Sequence, residues 1–564
     1  MKKKVVALML SLAVAVSALS GCGNEASTGT NETTKSSTST GSSASAESSD
    51  ATESSAEEEI TADYFAGTEL TIAIVAKPDD QSTDFNEKPI FKLMEEETGI
   101  HINWIVIDEG VSSERKGVML ASQDQPDAYI SMIRPTDIVN SPELFYDLSE
   151  EGLLEKWAPN LYQEYAVDHP NVLDALTWSD GSIYSLPIGS YASDITGWHQ
   201  SFLSINAEWL EQLDMEVPTN ADELYEVLVA FRDNDMNGNG DTTDEIPLTF
   251  QTDSWKSDLS LMMQMWGIAG DGTHVINAGK MLKDGEVVST YDTENFRNYL
   301  EYMHKLYAED LLDKEGFTQT SEQYSAKQAS ETPIVGVGFT WSNSSFKQEQ
   351  GVYQLFYFQG MEGVDPYFMG SKNANALTDW SAFGFVPTAD SNIEAVLHWW
   401  NYMGSTEEMK QIAFGNVEGV HYEVLEDGRI QRFKAPALGE PGYVDTWTNG
   451  LNNNCMPFDP DKQIVPESTG FNAERVVLTN DIVDKGFCAA EGEGWSYRIA
   501  PADKLEERSF IELELKEYID SFHAEAIMNG VTDASWEAHL EQLKAVGYYE
   551  WLDFWKCYAA NSWE

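Results

Sequence analysis

The segment Asp233–Glu245 concentrates oxygen-bearing side chains around two glycines, in a pattern that could bind a metal ion. Alternating carboxylates and amides with glycine at the turn suit Ca²⁺, which takes six to eight oxygen ligands. An EF-hand-like loop can be counted from Asp233 or from Asp235, so two registers are open. Together the two registers use Asp233, Asp235, Asn237, Asn239, Asp241, Asp244 and Glu245.

The alternative interpretation of this segment is a solvent-exposed turn, since Asn, Asp and Gly are common turn formers. The density of oxygen-bearing side chains exceeds what a turn needs, so the sequence favours Ca²⁺. We expect its role to be structural, because the sequence contains no pattern typical of a catalytic metal site.

The overall charge excludes some classes of partner. The formal net charge is −61, with 95 acidic residues against 34 lysines and arginines. Such a surface repels phosphate backbones, so nucleic acid is not an expected partner, and strongly anionic ligands are disfavoured. The sequence has no H-E-x-x-H, G-x-S-x-G or P-loop motif. Carboxylate pairs that could cleave a polysaccharide are uninformative here, because so many acidic residues produce pairs by chance.

The N-terminal residues are typical of a targeting segment. Lysines at positions 2–4 precede an apolar run from Val5 to Leu19, which is shorter than the ~20 residues that a membrane-spanning helix needs. Leu19-Ser20-Gly21-Cys22 follows and resembles the lipobox of bacterial lipoproteins. We therefore expect residues 1–22 to be a lipoprotein signal peptide, with Cys22 lipidated and two acyl chains anchoring the mature chain.

The next segment predicts a tether. Residues 23–59 contain no Leu, Ile, Val, Met, Phe, Tyr or Trp and cannot bury enough apolar surface to fold. We expect a flexible linker over residues 23–62, roughly 30 Å between its ends. The remaining ~500 residues are too many for one core and predict two or more lobes. Cys455, Cys488 and Cys557 are widely spaced and odd in number, which predicts neither a disulfide framework nor a zinc site.

Strands and helices alternate after the tether. Apolar runs predict strands at 69–75, 101–107 and 128–131, and helical periodicity predicts helices at 89–97 and 112–121. This order favours parallel βαβ units, with ligand sites at the carboxyl ends of strands. Other predicted elements are a helix beginning near Asn220, a hairpin at Asp284-Gly285, helices at 293–312, 392–403 and over most of 505–558, and buried strands at 334–340 and 383–386.

A series of short motifs runs in order along the mature chain. They are Glu97–Ile100, Met119–Ser122 with Pro126-Asp127, Tyr184–Pro187, Ile205-Asn206 before Glu208–Leu210, Val217–Thr219, the block Asn237–Leu248, and Gly419–Tyr422. Their order and spacing resemble family-1 extracellular solute-binding proteins, in the oligosaccharide-binding branch that includes LplA-type lipoproteins and alginate-binding proteins. The resemblance covers nearly the whole mature chain. The acidic loop counted from Asp235 is the register more similar to the calcium loop of the alginate-binding relatives.

The resemblance implies an α/β, two-lobe, periplasmic-binding-protein-like (type II) fold with a hinge and an interlobe cleft. We place lobe 1 at residues 63–190 and about 379–455, and lobe 2 at about 191–378 and 456–564. Lobes of this kind close around their ligand, and contacts made only in the closed state shift the population towards it.

The resemblance also implies a carbohydrate ligand, which needs aromatic platforms for its C–H faces and polar groups for its hydroxyls. Asp253 and Trp255 follow one predicted strand and Trp341 ends another, at positions where maltose-binding relatives contact sugar. Further candidates are Ser131, Arg134, Trp198, His199, Asp379, Trp380 and Trp495. Each aromatic candidate could instead be a core residue.

The function implied is the extracellular substrate-binding component of an ABC importer, which delivers a carbohydrate to a membrane permease. The resemblance implies a monomer without enzymatic activity, lipid-anchored to the outer face of the cell membrane of a Gram-positive bacterium. Two alternatives stay open: an enzyme acting on polysaccharide, and a receptor for a peptide or other solute on the same scaffold.

Overall fold

The computed structural model describes residues 64–563, except 77–83, 123, 191–200, 253, 255, 271–273, 342, 347, 350, 362, 372–376, 405–418, 420–421, 427, 429, 433–456, 459–462, 465–470 and 490–493. The described residues all lie in one compact unit, Ile60–Glu564. Cys22 and the predicted tether over residues 23–62 lie outside the described residues.

Strands and α-helices, numbered in chain order, alternate through most of the chain. The strands are β1 (Thr68–Ala76), β2 (Ile100–Asp108), β3 (Ala128–Ile130), β4 (Gly189–Ser190), β5 (Phe202–Asn206), β6 (Ile246–Leu248), β7 (Lys280–Lys283), β8 (Glu286–Ser289), β9 (Val335–Thr340), β10 (Tyr353–Phe356), β11 (Phe368–Ser371), β12 (Phe385–Pro387), β13 (Tyr422–Val424), β14 (Ile430–Arg432), β15 (Pro457–Phe458), β16 (Gln463–Ile464) and β17 (Cys488–Ala489). The α-helices are α1 (Pro89–Thr98), α2 (Ser112–Leu120), α3 (Pro135–Asn140), α4 (Leu153–Trp157), α5 (Pro159–Tyr162), α6 (Pro170–Leu176), α7 (Ala207–Leu213), α8 (Ala221–Asp233), α9 (Glu294–Ala308), α10 (Ser321–Gln328), α11 (Asp379–Ala382), α12 (Ile393–Asn401), α13 (Phe471–Asp484), α14 (Ala502–Asn529), α15 (Asp533–Ala545) and α16 (Tyr548–Ala560).

The first sheet has the strand order β12-β3-β1-β2. Strand β1 pairs in parallel with both β2 and β3, as the predicted βαβ units require. Strand β12 comes from far along the chain and pairs antiparallel with β3. In β1, Leu70, Ile72 and Ile74 are buried because alternate side chains of a strand face the same side. The strands and helices predicted between residues 69 and 131 are confirmed, to within a residue or two at their ends.

The second sheet has the strand order β10-β5-β9-β6. Strands β6 and β9 are parallel, whereas β5 runs antiparallel to β9, so that Phe202 at the start of β5 lies opposite Thr340 at the end of β9. Strand β9 is buried along its whole length, as its continuous apolar run predicts. Residues that follow β6 and β9 therefore emerge at one edge of this sheet, next to the first residues of β5.

Two hydrophobic cores form, one around each sheet. The first core draws residues from positions 65–188 and 377–403, and the second from positions 203–358. The C-terminal helices contribute to both: α16 places Trp551 in the second core and Phe554 in the first. The predicted α/β fold is confirmed, with these two sheets and two cores inside the one compact unit. The lobe boundaries drawn from the sequence stay predictions.

Helix α8 forms where the sequence predicts it. The side chain of Asn220 accepts a hydrogen bond from the backbone N–H of Glu223 (3.0 Å) and caps the helix. Its apolar stripe faces the second core, with Leu224, Val227, Leu228 and Phe231 buried. The helix ends at Asp233, so the acidic loop starts from an element anchored in the core.

Helix α9 is shorter than predicted. The periodic pattern indicates a helix to Leu312, but the helix ends at Ala308. Asp310 adopts a left-handed conformation (φ 59°), which turns the chain out of the helix. Leu311 and Leu312 are still buried, because Leu312 forms a bridge with Leu248 in the second sheet. The hairpin predicted at Asp284-Gly285 is confirmed between β7 and β8.

Candidate functional site

Ser131 marks the carboxyl end of β3 in the first sheet. It is buried and adopts a left-handed conformation (φ 61°), which is uncommon for a residue other than glycine. Its backbone N–H donates to the carbonyl of Gly384 (2.7 Å), immediately before β12. The contact extends the pairing of β3 with β12, and the left-handed conformation of Ser131 turns the chain towards Arg134.

Arg134 lies just beyond that turn, at the start of α3. Its backbone N–H donates to the carboxylate of Asp137 (2.8 Å), and its Nη1 donates to the carbonyl of Ile133 (2.7 Å). Burial lowers the pKa of Arg134, and the negative charges of Asp379 and Asp137 act in the opposite direction. The guanidinium is thus held close to the backbone. Of the two negative charges, that of Asp379 raises the pKa of Arg134 more.

The carboxylate of Asp379 is held by two neighbouring side chains. Its Oδ1 accepts a hydrogen bond from the hydroxyl of Tyr497 (2.9 Å), and Arg508 lies 3.6 Å from Oδ2. Its side chain is nevertheless 45% exposed. Burial, together with the charge of Asp379, raises the pKa of Tyr497 well above its usual value, so its hydroxyl stays a donor. Ser131, Arg134, Asp379 and Tyr497 form what we call the first site cluster.

Among the aromatic candidates from the sequence, Trp495 packs against other aromatic rings. It contacts Trp555 edge-on, with ring centres 5.4 Å apart, and lies beside Tyr558. These contacts are those of a partly buried packing residue. The side chain of Trp380 lies outside the described residues, as do Trp198 and His199.

Trp341 directly follows β9 in the second sheet and is partly exposed. The guanidinium carbon of Arg475 lies 3.8 Å from the centre of the Trp341 ring, and Nη1 of Arg475 donates to the Trp341 carbonyl (2.8 Å). The same guanidinium lies 5.2 Å from the centre of the Phe202 ring, at the start of β5. Phe202, Trp341 and Arg475 form the second site cluster.

The loop after β6 emerges at the same edge and is fixed at both ends. The N–H of Gln251 donates to the carbonyl of Ser257 (2.9 Å), and the N–H of Thr252 donates to the carbonyl of Gly316 (3.1 Å). On the other side, the hydroxyl of Ser201 donates to the carbonyl of Lys256 (2.6 Å). Asp253 and Trp255, which this loop carries, lie outside the described residues.

Arg475, Tyr497 and Arg508 were not candidates from the sequence. Arg475 lies 134 residues from Trp341 and Tyr497 lies 118 residues from Asp379. Each sits in a C-terminal segment whose pattern indicates only helix or loop. No local motif could have associated them with the strand ends, because their proximity depends on how α13 and α14 pack.

The acidic loop is organised by Asp235 and Glu245. The carboxylate of Asp235 accepts hydrogen bonds from the backbone N–H groups of Gly238 (2.8 Å), Asn239 (3.1 Å) and Gly240 (2.8 Å). Oε1 of the buried Glu245 accepts from the N–H of Met236 (2.8 Å). The bonds to Asp235 curl the first half of the loop, and the bond from Met236 to Glu245 joins its two ends.

Asp244 completes the interior of the loop. Its Oδ2 accepts hydrogen bonds from the amides of Asn237 (3.1 Å) and Asn239 (2.7 Å). Oδ1 of Asp244 and Oε2 of Glu245 are buried and have no hydrogen-bond partner among the described residues. Two buried carboxylate oxygens without donors are costly unless a cation satisfies them.

Two other acidic candidates face away from this interior. The carboxylate of Asp233 pairs with Arg232 (2.8 Å), and this hydrogen bond lowers its pKa. Asp241 instead accepts from the hydroxyl (2.6 Å) and N–H (3.0 Å) of Thr243, which lowers the pKa of Asp241. Within the described part of the chain, no group of three His, Cys, Asp or Glu side chains converges on a common metal position. Any cation here would depend on amide or backbone oxygens as well.

The remaining observations concern the cysteine thiols and the hydropathy of the helices. Cys488 and Cys557 are free, and burial raises the pKa of the Cys488 thiol. Cys455 lies outside the described residues. Over the ranges that the structure describes, no helix combines the length and the apolar character needed to cross a bilayer.

Comparison with known proteins identifies sequence relatives of this chain and structures with a similar fold. No protein-family model matches the chain. The fructooligosaccharide ABC transporter substrate-binding protein FusA of Streptococcus pneumoniae is 24% identical over 507 residues, covering 83% of this chain and 86% of FusA. The structure of FusA in complex with kestose superposes with a TM-score of 0.73 at 22% identity, covering 88% of this chain and 99% of that one. The fold is that of ABC-transporter substrate-binding proteins. The resemblance to the oligosaccharide-binding branch of solute-binding proteins is thereby confirmed.

Two further solved structures bear on the acidic loop. An EF-hand mutant of FusA in complex with fructo-nystose has a TM-score of 0.70 at 21% identity and covers 88% of this chain and 99% of that one. The alginate-binding protein AlgQ2 without calcium ion has a TM-score of 0.65 at 18% identity and covers 88% of this chain and 98% of that one. The first description names an EF-hand, and the second names a calcium ion.

Proposed function

We propose that this protein is the extracellular substrate-binding component of an ABC importer, which captures an oligosaccharide and delivers it to the membrane permease. The observation that carries the proposal is the placement of sugar-compatible groups at the sheet edges where β3 of the first sheet and β9 of the second sheet end. At the first edge, Asp379 in α11 precedes β12 and contributes an oriented carboxylate whose charge acts on Arg134. At the second edge, Trp341 directly after β9 contributes a partly exposed ring. Ligands of open α/β sheets bind at such carboxyl edges.

Each cluster supplies a different part of carbohydrate recognition. The ring of Trp341 offers an apolar face to the C–H face of a sugar. Asp379 can accept hydrogen bonds from sugar hydroxyls, and Tyr497 fixes its orientation in advance. Asp253, Trp255, Trp198, His199 and Trp380 are proposed as further contacts on the basis of their positions in the sequence. A cleft between the two sheets would bring the clusters onto one ligand.

We propose that binding is reversible and leaves the sugar intact. The relatives that cover most of the chain are named as substrate-binding proteins, which supports a binding role over a hydrolytic one. The strongest competing role is a receptor for another solute on the same scaffold, because fold does not fix the ligand.

A variant series tests this binding role. Trp341→Leu removes the aromatic platform but keeps apolar bulk, and Asp379→Asn removes the acceptor charge. We expect each to weaken oligosaccharide binding by about tenfold or more, equivalent to about 1.4 kcal/mol, in isothermal titration calorimetry. The matched controls are Trp104→Leu and Asp124→Asn. Trp104 packs against the Phe91 ring, and Asp124 is exposed. Equal losses in the controls and the test variants would contradict the assignment.

We further propose that the acidic loop binds a structural Ca²⁺, in the register beginning at Asp235. Asp244 and Glu245 would supply the charged ligands, and Asn237 and Asn239 the amide oxygens. Asp235 begins this register and orders the loop through backbone N–H groups, whereas the carboxylates of Asp233 and Asp241 bond to Arg232 and Thr243. The buried oxygens of Asp244 and Glu245 that lack donors fit a cation. The ion would tie the end of α8 to the start of β6, without any part in sugar chemistry.

Calcium binding can be measured without a sugar. Glu245→Gln removes one buried charge and is expected to abolish the rise in melting temperature that millimolar Ca²⁺ produces over a chelator. Asp233→Asn is the matched control and should keep the full rise, because Asp233 pairs with Arg232. A melting temperature insensitive to Ca²⁺ in the unaltered protein would refute the site.

Finally, we propose that the mature chain is a monomer attached to the outer face of a bacterial, Gram-positive cell membrane by lipidated Cys22, with residues 23–62 as the tether. The lipobox-like Leu19–Cys22 and the composition of the tether support this location. Metabolic labelling with a fatty-acid analogue should mark the protein, and Cys22→Ala should remove the label.

A further inference from the structure

Helix α13 approaches the end of β9 through two consecutive residues, Glu474 and Arg475. Arg475 covers one face of Trp341 at 3.8 Å and bonds the carbonyl of the same residue. Glu474 accepts hydrogen bonds from the amide of Asn343 (2.8 Å) and from the N–H of Leu355 in β10 (2.7 Å). Glu474 and Arg475 of α13 therefore hold Asn343 and Trp341, respectively.

The other end of α13 is also anchored. Ile482 is fully buried and packs with Phe202 and Tyr357 in a small cluster of apolar residues. Asp481 accepts a hydrogen bond from Lys485 (2.8 Å), and Lys485 also donates to the hydroxyl of Tyr357 (2.8 Å). Because the helix is fixed at this end, Arg475 reaches Trp341 from a rigid base.

Arg475 keeps its charge in this environment. Burial lowers its pKa to about 10, which is still well above neutral pH. A planar guanidinium can lie flat on an indole ring and donate to a carbonyl at once, whereas a lysine ammonium lacks the planar surface. The geometry combines both contacts on one residue, so it restricts the ring and the backbone of Trp341 together.

We propose that Arg475 is a positioning residue for Trp341, which covers one face of the ring and fixes its orientation. This inference rests on the proposed role of Trp341 in sugar binding. A ring that is already ordered loses less conformational freedom when the ligand binds, so binding is tighter than with a mobile ring. Arg475 would set affinity through Trp341 rather than by touching the sugar.

The test is a double-mutant cycle measured by calorimetric titration. Arg475→Gln is expected to raise the oligosaccharide Kd by about 3- to 10-fold, in the range set by ordering one side chain. Arg475→Lys should give a similar loss, because it retains the charge without the planar stack. In a Trp341→Leu background, Arg475→Gln should change the Kd less than twofold.

Each outcome of the cycle decides the inference. A full additional loss in the Trp341→Leu background would mean that Arg475 acts independently of Trp341, and restored affinity in Arg475→Lys would mean that the planar stack is not required. Either result overturns the proposal. If Trp341→Leu itself binds as tightly as the unaltered protein, the proposed function of Trp341 fails instead. Arg297→Gln, at a partly buried arginine that pairs with Glu301 and Asp533, is the control and should bind normally.

A ligand-free measurement keeps the inference testable even if no oligosaccharide binds. With 5-fluorotryptophan incorporated, the ¹⁹F resonance of Trp341 is identified by its loss in Trp341→Leu. We expect Arg475→Gln to shift and broaden this resonance, because the ring loses its stacked partner. An unchanged Trp341 resonance in folded Arg475→Gln, or in Arg475→Lys if the first variant does not fold, would overturn the proposal.

Discussion

Two buried histidines should make this protein less stable in mild acid. His523 lies in the second core, where Nε2 contacts the hydroxyl of Tyr299 (2.8 Å), and burial lowers its pKa to about 3. His539 stacks on Phe522 and contacts the carbonyl of Tyr291 through Nε2 (3.0 Å), and burial lowers its pKa to about 4. Both are therefore neutral in the folded protein at pH 5, whereas the unfolded chain binds a proton on each.

The sign and size follow from linkage. A histidine whose pKa is lowered by folding contributes its full stability above pH 6.5, and this contribution is lost as the pH falls from 6.5 towards the folded-state pKa. The slope is about 1.4 kcal/mol per pH unit for each histidine. At pH 5, His523 and His539 should each cost about 2 kcal/mol relative to pH 7. Their sum is a large part of the 5–15 kcal/mol that is typical of folded proteins.

The assay is urea denaturation between pH 7 and pH 5, compared with the variant His523→Gln. The difference between the two proteins isolates this histidine from the acidic side chains, whose mutual repulsion changes over the same range. The difference in unfolding free energy should fall by about 2 kcal/mol from pH 7 to pH 5. His101→Gln, a partly exposed histidine beside Glu95, is the control. A difference that stays constant with pH for His523→Gln would refute the reasoning.

Three further substitutions test how the elements are held. Phe231→Ala should lower the free energy of unfolding by about 3–5 kcal/mol, because Phe231 is fully buried against Trp209, and a loss under 1 kcal/mol in chemical denaturation would contradict this. Gly384→Ala should cost about 1–3 kcal/mol, since a Cβ there would lie 2.3 Å from carbons of Ile188; an unchanged melting temperature would contradict the packing described. Asn220→Ala should cost about 1 kcal/mol through loss of the α8 cap, and Asn220→Asp should restore most of it in the same assay.

The β1–α1–β2 unit could be predicted because local signals agree there. Apolar alternation indicates both strands, and Gly99 after Thr98 stops the helix in a left-handed conformation (φ 70°). The oxygen-rich loop was equally visible, since its residues are contiguous. The structure adds which carboxylates turn inwards, a distinction that depends on partners such as Arg232 for Asp233.

Long-range pairings could not be predicted. Strand β12 joins the first sheet beside β3 from far along the chain, and no local pattern encodes its antiparallel partner. Trp341 was a candidate because it ends an apolar run, but its partner Arg475 depends on tertiary packing. The end of α9 was misjudged because Leu311 and Leu312 continue the apolar pattern while packing outside the helix.

Titration of the unaltered protein with neutral and acidic oligosaccharides, kestose among them, is the most direct check of the role in sugar capture. Binding is followed by calorimetry, and the sugar is recovered afterwards for chromatography. We predict saturable binding of at least one oligosaccharide at one site per chain, with the recovered sugar unchanged in length. Absence of binding across the panel, or recovery of shortened sugar, would contradict the account.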